Sequence, residues 1–155
     1  MKRVPLIPKE IYSLVERKRR SRWGAEKRAM LKLQDAQAAA YSLGSPGAGG
    51  TGGKSGPGDR VGKLALAVAE AQEKLENVRA WEHVWRKMDK WFSFDSSMEG
   101  RVAGFLYDNG MGLNDIATAC GCSRDAVNRA RNNWVYMAAF SAACEGLVTI
   151  REGEE

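Results

Sequence analysis

An apparent phosphate-binding motif lies in the middle of the chain. Residues 48–55, AGGTGGKS, fit the looser Walker A pattern, in which backbone N–H groups and a lysine hold the phosphates of a nucleotide. That chemistry requires a strand before the loop and a helix after it. The alanine-rich stretch upstream has helix-forming composition, and Gly56-Pro57-Gly58 downstream predicts that no helix begins there. Since eight of the fifteen residues in 44–58 are glycine, we interpret the match as part of a linker.

The rest of the sequence offers no arrangement suited to catalysis. It contains no carboxylate pair, nucleophile–base set or metal cluster with recognisable spacing. Cys120, Cys122, Cys144 and the single His83 lack the spacing of zinc ligands, and three cysteines form no disulfide framework. We therefore predict reduced cysteines that fill small core positions. We also predict that the protein is not an enzyme and takes no cofactor, metal or small-molecule ligand.

A second constellation, from Gly112 to Trp134, predicts recognition of DNA. The two short helices of a helix-turn-helix need a small residue on the first, a turn residue that tolerates positive φ, and a β-branched residue on the second. Ala117, Gly121 and Val127 meet these needs. The other inward positions are also apolar or small: Ile116, Cys120, Cys122 and Ala130. An ordinary pair of packed helices with the same interior is the alternative.

The second helix of this motif would carry the residues that contact DNA. Arginine pairs with guanine and asparagine with adenine in the major groove, and a serine suits the helix N-cap. We expect base readout from Arg124, Asn128, Arg129 and Asn132, with Ser123 and Arg131 positioning the DNA backbone. The complete predicted set is Ser123, Arg124, Asp125, Asn128, Arg129, Arg131 and Asn132.

Positive charge is concentrated near the N-terminus. The net charge is +5, and residues 1–34 hold eleven Lys or Arg against three Glu. Residues 97–140 carry four Arg and four acids, so the helix-turn-helix region is close to neutral. Strong DNA binding then requires the basic segment, a second copy or a protein partner. We predict accessory phosphate contacts from Arg17, Lys18, Arg19, Arg20 and Arg22, with a solvated helix face as the alternative.

The composition predicts an all-α protein. We expect a basic helix in 1–43, a flexible linker in 44–58, a heptad and aromatic helix in 59–95, a helix-turn-helix domain in 96–150 and a disordered tail in 151–155. The apolar seam of the third segment comprises Val61, Leu64, Val68, Ala71, Leu75 and Val78, and it continues into Trp81, Trp85, Met88 and Phe92. The aromatic part is expected to be core.

The seam requires a partner surface. The first helix offers Trp23, Met30, Leu33 and Ala40 at the same spacing, which favours an antiparallel hairpin within one chain. Pairing between two chains remains open, because the long linker adds little closure cost. No apolar run reaches the roughly 20 residues needed to cross a bilayer, and the start lacks a signal core. We expect a cytoplasmic protein without membrane contact.

The order of these elements resembles small phage-encoded transcriptional regulators of the RinA/ArpU type, whose C-terminal part is similar to region 4 of sigma factors. The resemblance is carried by Tyr41-Ser42, Gly58-Asp59-Arg60-Val61 and the stretch from Asp115-Ile116-Ala117 through Val127. It implies a sigma region 4-type helix-turn-helix and a regulator of late or packaging genes in the host cytoplasm. Double-stranded DNA is the expected partner, with RNA polymerase and a homodimer as further candidates. Two alternatives remain, a small terminase-like packaging subunit and a helical module that recruits polymerase.

Overall fold

The computed structural model describes residues 6–42 and 57–150, and within them the chain is helical without strands. This confirms the all-α prediction. The predicted linker, apart from its last two residues, and the tail lie outside the described residues. The helices are α1 (Lys9–Arg20), α2 (Ala25–Ser42), α3 (Pro57–Trp91), α4 (Met98–Ala103) with a π-helical turn at Gly104–Asp108, α5 (Leu113–Cys120) and α6 (Arg124–Cys144).

The basic N-terminal segment forms two helices, where the sequence predicted one. Helix α1 begins directly after Pro8 and ends at Arg20. The break occurs because Gly24 adopts a φ of +81°, which lies outside the right-handed helical region and is accessible to glycine. A single glycine among strong helix formers is a weak signal in sequence, so the break was missed.

The chain divides into two compact units. The globular unit comprises the residues up to Arg22 together with those from Ala80 onward, and the hairpin unit comprises Trp23–Arg79. Helix α3 contributes to both, since its first part belongs to the hairpin unit and its last part to the globular unit. The short basic helix α1 therefore belongs to the same unit as α5 and α6.

The globular unit has an aromatic core. The Trp85 ring stacks on Trp81 at 5.3 Å and on Trp134 at 5.8 Å between centroids. All three indoles are buried, as is Met88, while Phe92 is half-buried against them. The prediction that the aromatic part of the seam is core is thereby confirmed.

The hairpin unit joins α2 to α3 in antiparallel directions. Arg79 Nε contacts Glu26 Oε1 at 3.1 Å, linking the start of α2 to a late position in α3. On α3 the seam residues Leu64 through Val78 are less exposed than most of their neighbours, although Val61 is exposed. Helix α2 carries a less exposed stripe with the same spacing: Ala29, Leu33, Ala36 and Ala40.

Two residues predicted to belong to the α2 stripe lie outside it. Trp23 is 61% exposed because it precedes the helix in the turn around Gly24, and Met30 is 38% exposed. Ala29 is buried in place of Met30. The predicted spacing was therefore correct, but near the start of α2 the stripe passes through Ala29, one residue before the predicted Met30.

The structure describes the helices that come before and after the apparent phosphate loop, whereas Lys54 and Ser55 lie outside the described residues. Upstream, α2 confirms the prediction of a helix where a phosphate loop needs a strand. Downstream, the expectation that no helix starts near Gly56 was wrong, because α3 begins at Pro57. Proline suits the first helical position, since its missing N–H has no partner there in any case. Asp59, where the sequence predicted the start of this helix, consequently lies inside its first turn.

Candidate nucleic-acid interface

The turn between α5 and α6 is held by a paired set of backbone hydrogen bonds. Gly121 has a φ of +66°, and its N–H donates to Thr118 O at 3.2 Å. The Cys122 N–H donates to Ala117 O at 3.0 Å, which completes a Schellman motif. Ser123 then caps α6, because its Oγ accepts from the Ala126 N–H at 3.1 Å. The tight turn and the capped second helix were both expected from the sequence.

A small interior holds the two helices together. Ile116 and Ala117 of α5 pack with Val127 and Ala130 of α6, and Val102 of the preceding helix joins them. All five are buried. The residues that the motif required to face inward therefore do so.

Two of the three cysteines fit the predicted role. Cys120 and Cys122 are half-buried against this interior, and burial raises the pKa of the Cys120 thiol. Cys144, at the end of α6, is exposed, so the prediction of a core position was wrong there. The thiols are free, and the described residues hold no cluster of three or more His, Cys, Asp or Glu that could bind a metal.

The first two turns of α6 present polar side chains to solvent. Arg124, Asp125 and Arg129 are exposed, and Asn128 is half-buried beside them. Among the described residues, no ion pair involves either of these two arginines. The cap residue Ser123 is also exposed at the same end of the helix. Five of the seven predicted DNA-binding residues are thus brought together at one end of α6.

Arg131 instead forms an internal ion pair. Its guanidinium donates to Glu16 of α1 through Nε at 2.9 Å and Nη2 at 2.6 Å. The Tyr107 hydroxyl donates to the same carboxylate at 2.7 Å, and Glu16 is buried. Burial disfavours the charged form of Arg131, but the hydrogen bonds to Glu16 outweigh it and raise its pKa. The net result is a hydrogen-bonded charge pair between α1 and α6, in which Glu16 is buried and Arg131 is half-buried.

Asn132 also faces α1. Its Oδ1 accepts a hydrogen bond from the Tyr12 hydroxyl at 2.7 Å, and the Tyr12 ring meets Tyr136 edge to face. Burial raises the pKa of Tyr12 to about 12, with the Arg131 charge opposing the shift. Together with Arg131, Asn132 attaches α1 to the middle of α6. In the structure these two residues contact protein where the sequence predicted contacts with DNA.

The basic cluster is the set of five residues predicted to contact phosphate: Arg17, Lys18, Arg19, Arg20 and Arg22. Two of them pair with acids inside the fold, and three face outward. Arg19 is buried and contacts Asp108 through both terminal nitrogens, at 2.6 and 2.9 Å. Arg22 is buried against Glu82 and Asp89, whose hydrogen bonds outweigh desolvation and raise its pKa. The outward members are Arg17 and Arg20, which are exposed, and Lys18, which is half-buried.

The C-terminal end of α1, which carries these outward residues, is held close to the π-helical turn before α5. The Arg20 guanidinium lies 5.6 Å from the Tyr107 ring centroid, and Arg19 fixes the end of α1 on Asp108. Asp108 ends the π-helical turn that precedes α5. Side chains able to contact phosphate are therefore carried on a helix attached to the same unit as α6.

Sequence reasoning missed the acids and tyrosines of this network: Tyr12, Glu16, Tyr107 and Asp108. Glu16 carried one usable signal, because it is an acid beside a basic run and shares a helical face with Tyr12 and Arg19. No local pattern links any of them to α6.

No family model, curated protein or solved structure matches this chain. Within residues 6–42 and 57–150, no helix has the length and apolar character needed to cross a membrane.

Proposed function

We propose that the protein binds double-stranded DNA through α6 and regulates transcription. The observation that carries the proposal is the capped start of α6, where Arg124 and Arg129 are exposed and make no ion pair among the described residues. Asn128 lies between them with part of its side chain accessible. In a helix-turn-helix the first residues of the second helix contact base edges.

The proposed roles follow from chemistry and exposure. Arg124 and Arg129 have the donors for guanine, and Asn128 can form two hydrogen bonds with adenine. Arg131 and Asn132 are positioning residues, since they hold α6 on α1. Ser123 caps the N-terminus of α6. Asp125 lies in the first turn of the same helix, where the helix dipole favours a negative charge.

Outward basic residues on α1 supply phosphate contacts in this proposal. Arg17, Lys18 and Arg20 are the members of the basic cluster with accessible side chains. They offset the near neutrality of the helix-turn-helix region, which by itself offers few cations to a phosphate backbone. The resemblance to RinA/ArpU-type regulators, with a sigma region 4-like motif, supports a phage or prophage promoter as the target.

The test is a binding titration of the full chain against duplexes selected from a random pool and against unselected duplexes. We expect Arg124→Ala and Arg129→Ala each to weaken binding to the selected duplex by about 1–3 kcal/mol and to relax sequence preference. Arg17→Ala and Arg20→Ala should each weaken binding to both kinds of duplex equally. Each should also reduce the slope of the logarithm of the binding constant against the logarithm of salt concentration by about one.

Arg86→Ala is the matched control, because it removes the same charge from an exposed position on α3. It should bind as the unaltered chain does. If the Arg124 and Arg129 variants keep their helix content and still bind the selected duplex with unchanged affinity, α6 does not recognise the base sequence.

A contact with RNA polymerase is the second candidate. Met137 and Phe140 are exposed further along α6, 39% and 42%, one helical turn apart. Exposed apolar pairs of this kind suit a protein surface better than a DNA groove. Co-sedimentation with purified polymerase, in which Met137→Ser and Phe140→Ser abolish binding but DNA affinity is retained, would assign this role.

A further inference from the structure

Cys120 and Cys122 lie on either side of the left-handed glycine in the turn between α5 and α6. Gly121 has φ +66° and ψ +35°, which is close to the mirror image of a helical residue. Helical geometry, in either hand, places α-carbons two positions apart at about 5.5 Å. Disulfides join α-carbons that are roughly 4.4–6.8 Å apart. The conformation of Gly121 therefore sets the two cysteines at a separation that suits a disulfide.

The two cysteine side chains also face the same interior. Cys120 comes three positions after Ala117 on α5, and side chains at that spacing share a helix face. Cys122 donates its N–H to Ala117 O, and in a Schellman motif the side chain at this position frequently packs back on the residue that accepts the bond. Both cysteines are half-buried against the cluster that contains Ala117. The thiols are thus directed to one side of the turn.

The surroundings of the Cys120 sulfur favour exchange with Cys122. Burial raises the pKa of the Cys120 thiol, Cys122 adds to that shift, and the positive charge of Arg101 on α4 opposes it. Arg101 is half-buried, and none of the ion pairs among the described residues involves it. Its charge therefore stabilises a thiolate at Cys120, and the thiolate is the form that attacks disulfides.

We propose that Cys120 and Cys122 form a reversible disulfide in the presence of a low-molecular-weight disulfide such as oxidised glutathione. One cysteine thiolate attacks a sulfur of the small disulfide, forms a mixed disulfide and releases one small thiolate. The second cysteine thiolate then attacks the protein sulfur of the mixed disulfide and releases the other small thiolate. Two cysteine thiols are oxidised to one disulfide, their two protons pass to the released thiolates, and the small disulfide is reduced to two thiols.

Closing this bond changes the start of α6. Bonded sulfurs lie about 2.05 Å apart, which is closer than two thiols in van der Waals contact, so Cys122 is drawn towards α5. Ser123 follows directly, and its Oγ caps α6 by accepting from the Ala126 N–H at 3.1 Å. We expect the shift to weaken that cap. Because the disulfide closes a very short loop, it gains little stability from the chain, and an excess of small thiol should reduce it again.

The test is mass spectrometry of the full chain after equilibration in glutathione buffers and alkylation of the remaining thiols. Tryptic cleavage after Arg101 and Arg124 releases residues 102–124, which contain both cysteines of the turn but not Cys144. We expect this peptide to lose two hydrogens as oxidised glutathione increases and to regain them in excess reduced glutathione. Hydrogen exchange at the Ala126 amide should accelerate about fivefold in the oxidised form, as expected for the loss of one helix cap.

Cys144→Ser is the matched control, because it removes the exposed cysteine outside the turn and should leave both results unchanged. Cys120→Ser should give a mixed disulfide of Cys122 with glutathione in place of the internal bond. In the unaltered chain, a peptide 102–124 that remains alkylated, that carries glutathione or that is bonded to Cys144 would overturn the proposal. An internal disulfide with unchanged exchange at Ala126 would also overturn it.

These measurements use no DNA, so their outcome is independent of the proposed function. If the proposed function holds, oxidation of the turn should also weaken binding to the selected duplex, because the base-reading residues lie at the start of α6. A reduced chain that binds no duplex would contradict the proposed function and leave the disulfide result in place.

Discussion

The two units differ in how deeply their apolar residues are covered, although α3 runs through both. In the globular unit Trp81 and Trp85 are buried and stack in a core shared with Trp134. In the hairpin unit the described residues that are buried are Ala29 and Leu75. The same apolar spacing therefore indicates which face of a helix is less exposed. Depth of burial depends on side-chain size and on how many helices surround that face.

The largest expected effect comes from removing the centre of the aromatic core. Trp85→Ala should reduce the free energy of unfolding by about 3–5 kcal/mol, because a buried indole leaves a cavity between two stacking partners. Denaturant unfolding monitored by tryptophan fluorescence measures this loss. Trp91→Ala is the control, since Trp91 is 52% exposed on the same helix and should change stability little. An equal loss in the free energy of unfolding for Trp85→Ala and Trp91→Ala would contradict the difference in burial between the two side chains.

The second effect tests the polar attachment of α1. Glu16→Ala leaves the Arg131 guanidinium and the Tyr107 hydroxyl without their shared acceptor, so we expect a loss of about 3 kcal/mol. The double variant Glu16→Met with Arg131→Met removes both charges and should recover part of that loss, since the Tyr107 hydroxyl still lacks its acceptor. Thermal unfolding of both variants gives the comparison. A double variant less stable than Glu16→Ala would show that the ion pair itself provides the stability.

Local sequence patterns were sufficient for the tight turn between α5 and α6 and for the aromatic core. The Gly121 turn and the Ser123 cap are set by neighbouring residues, and both appear where predicted. Partners of charged residues could not be predicted, because they are distant in sequence. Arg131 and Glu16 are 115 positions apart, and Arg19 and Asp108 are 89 apart. Asn132 was predicted to contact DNA because its partner in the fold, Tyr12, is also distant in sequence.

Helix boundaries show a second limit of sequence reasoning. Gly24 ends a helical run that is rich in helix formers, whereas Pro57 begins one inside a run of glycines. In sequence, Gly24 and Pro57 are each compatible with a helix or a loop. Packing against the rest of the fold decides between the two. Residues 80–95 belong to the same unit as α5 and α6, and the stacking of Trp85 on Trp134 within that unit could not be predicted from local sequence.

The smallest effect compares two leucines of α3 within the hairpin unit. Leu75 is 5% exposed and Leu66 is 59% exposed. Leu75→Ala should cost about 2 kcal/mol, at the low end for a buried leucine because the unit has few covering helices. Leu66→Ala should change stability by less than about 0.5 kcal/mol in dilute solution. Thermal unfolding of the two variants measures the difference. Equal losses for Leu75→Ala and Leu66→Ala would contradict the difference in burial between the two side chains.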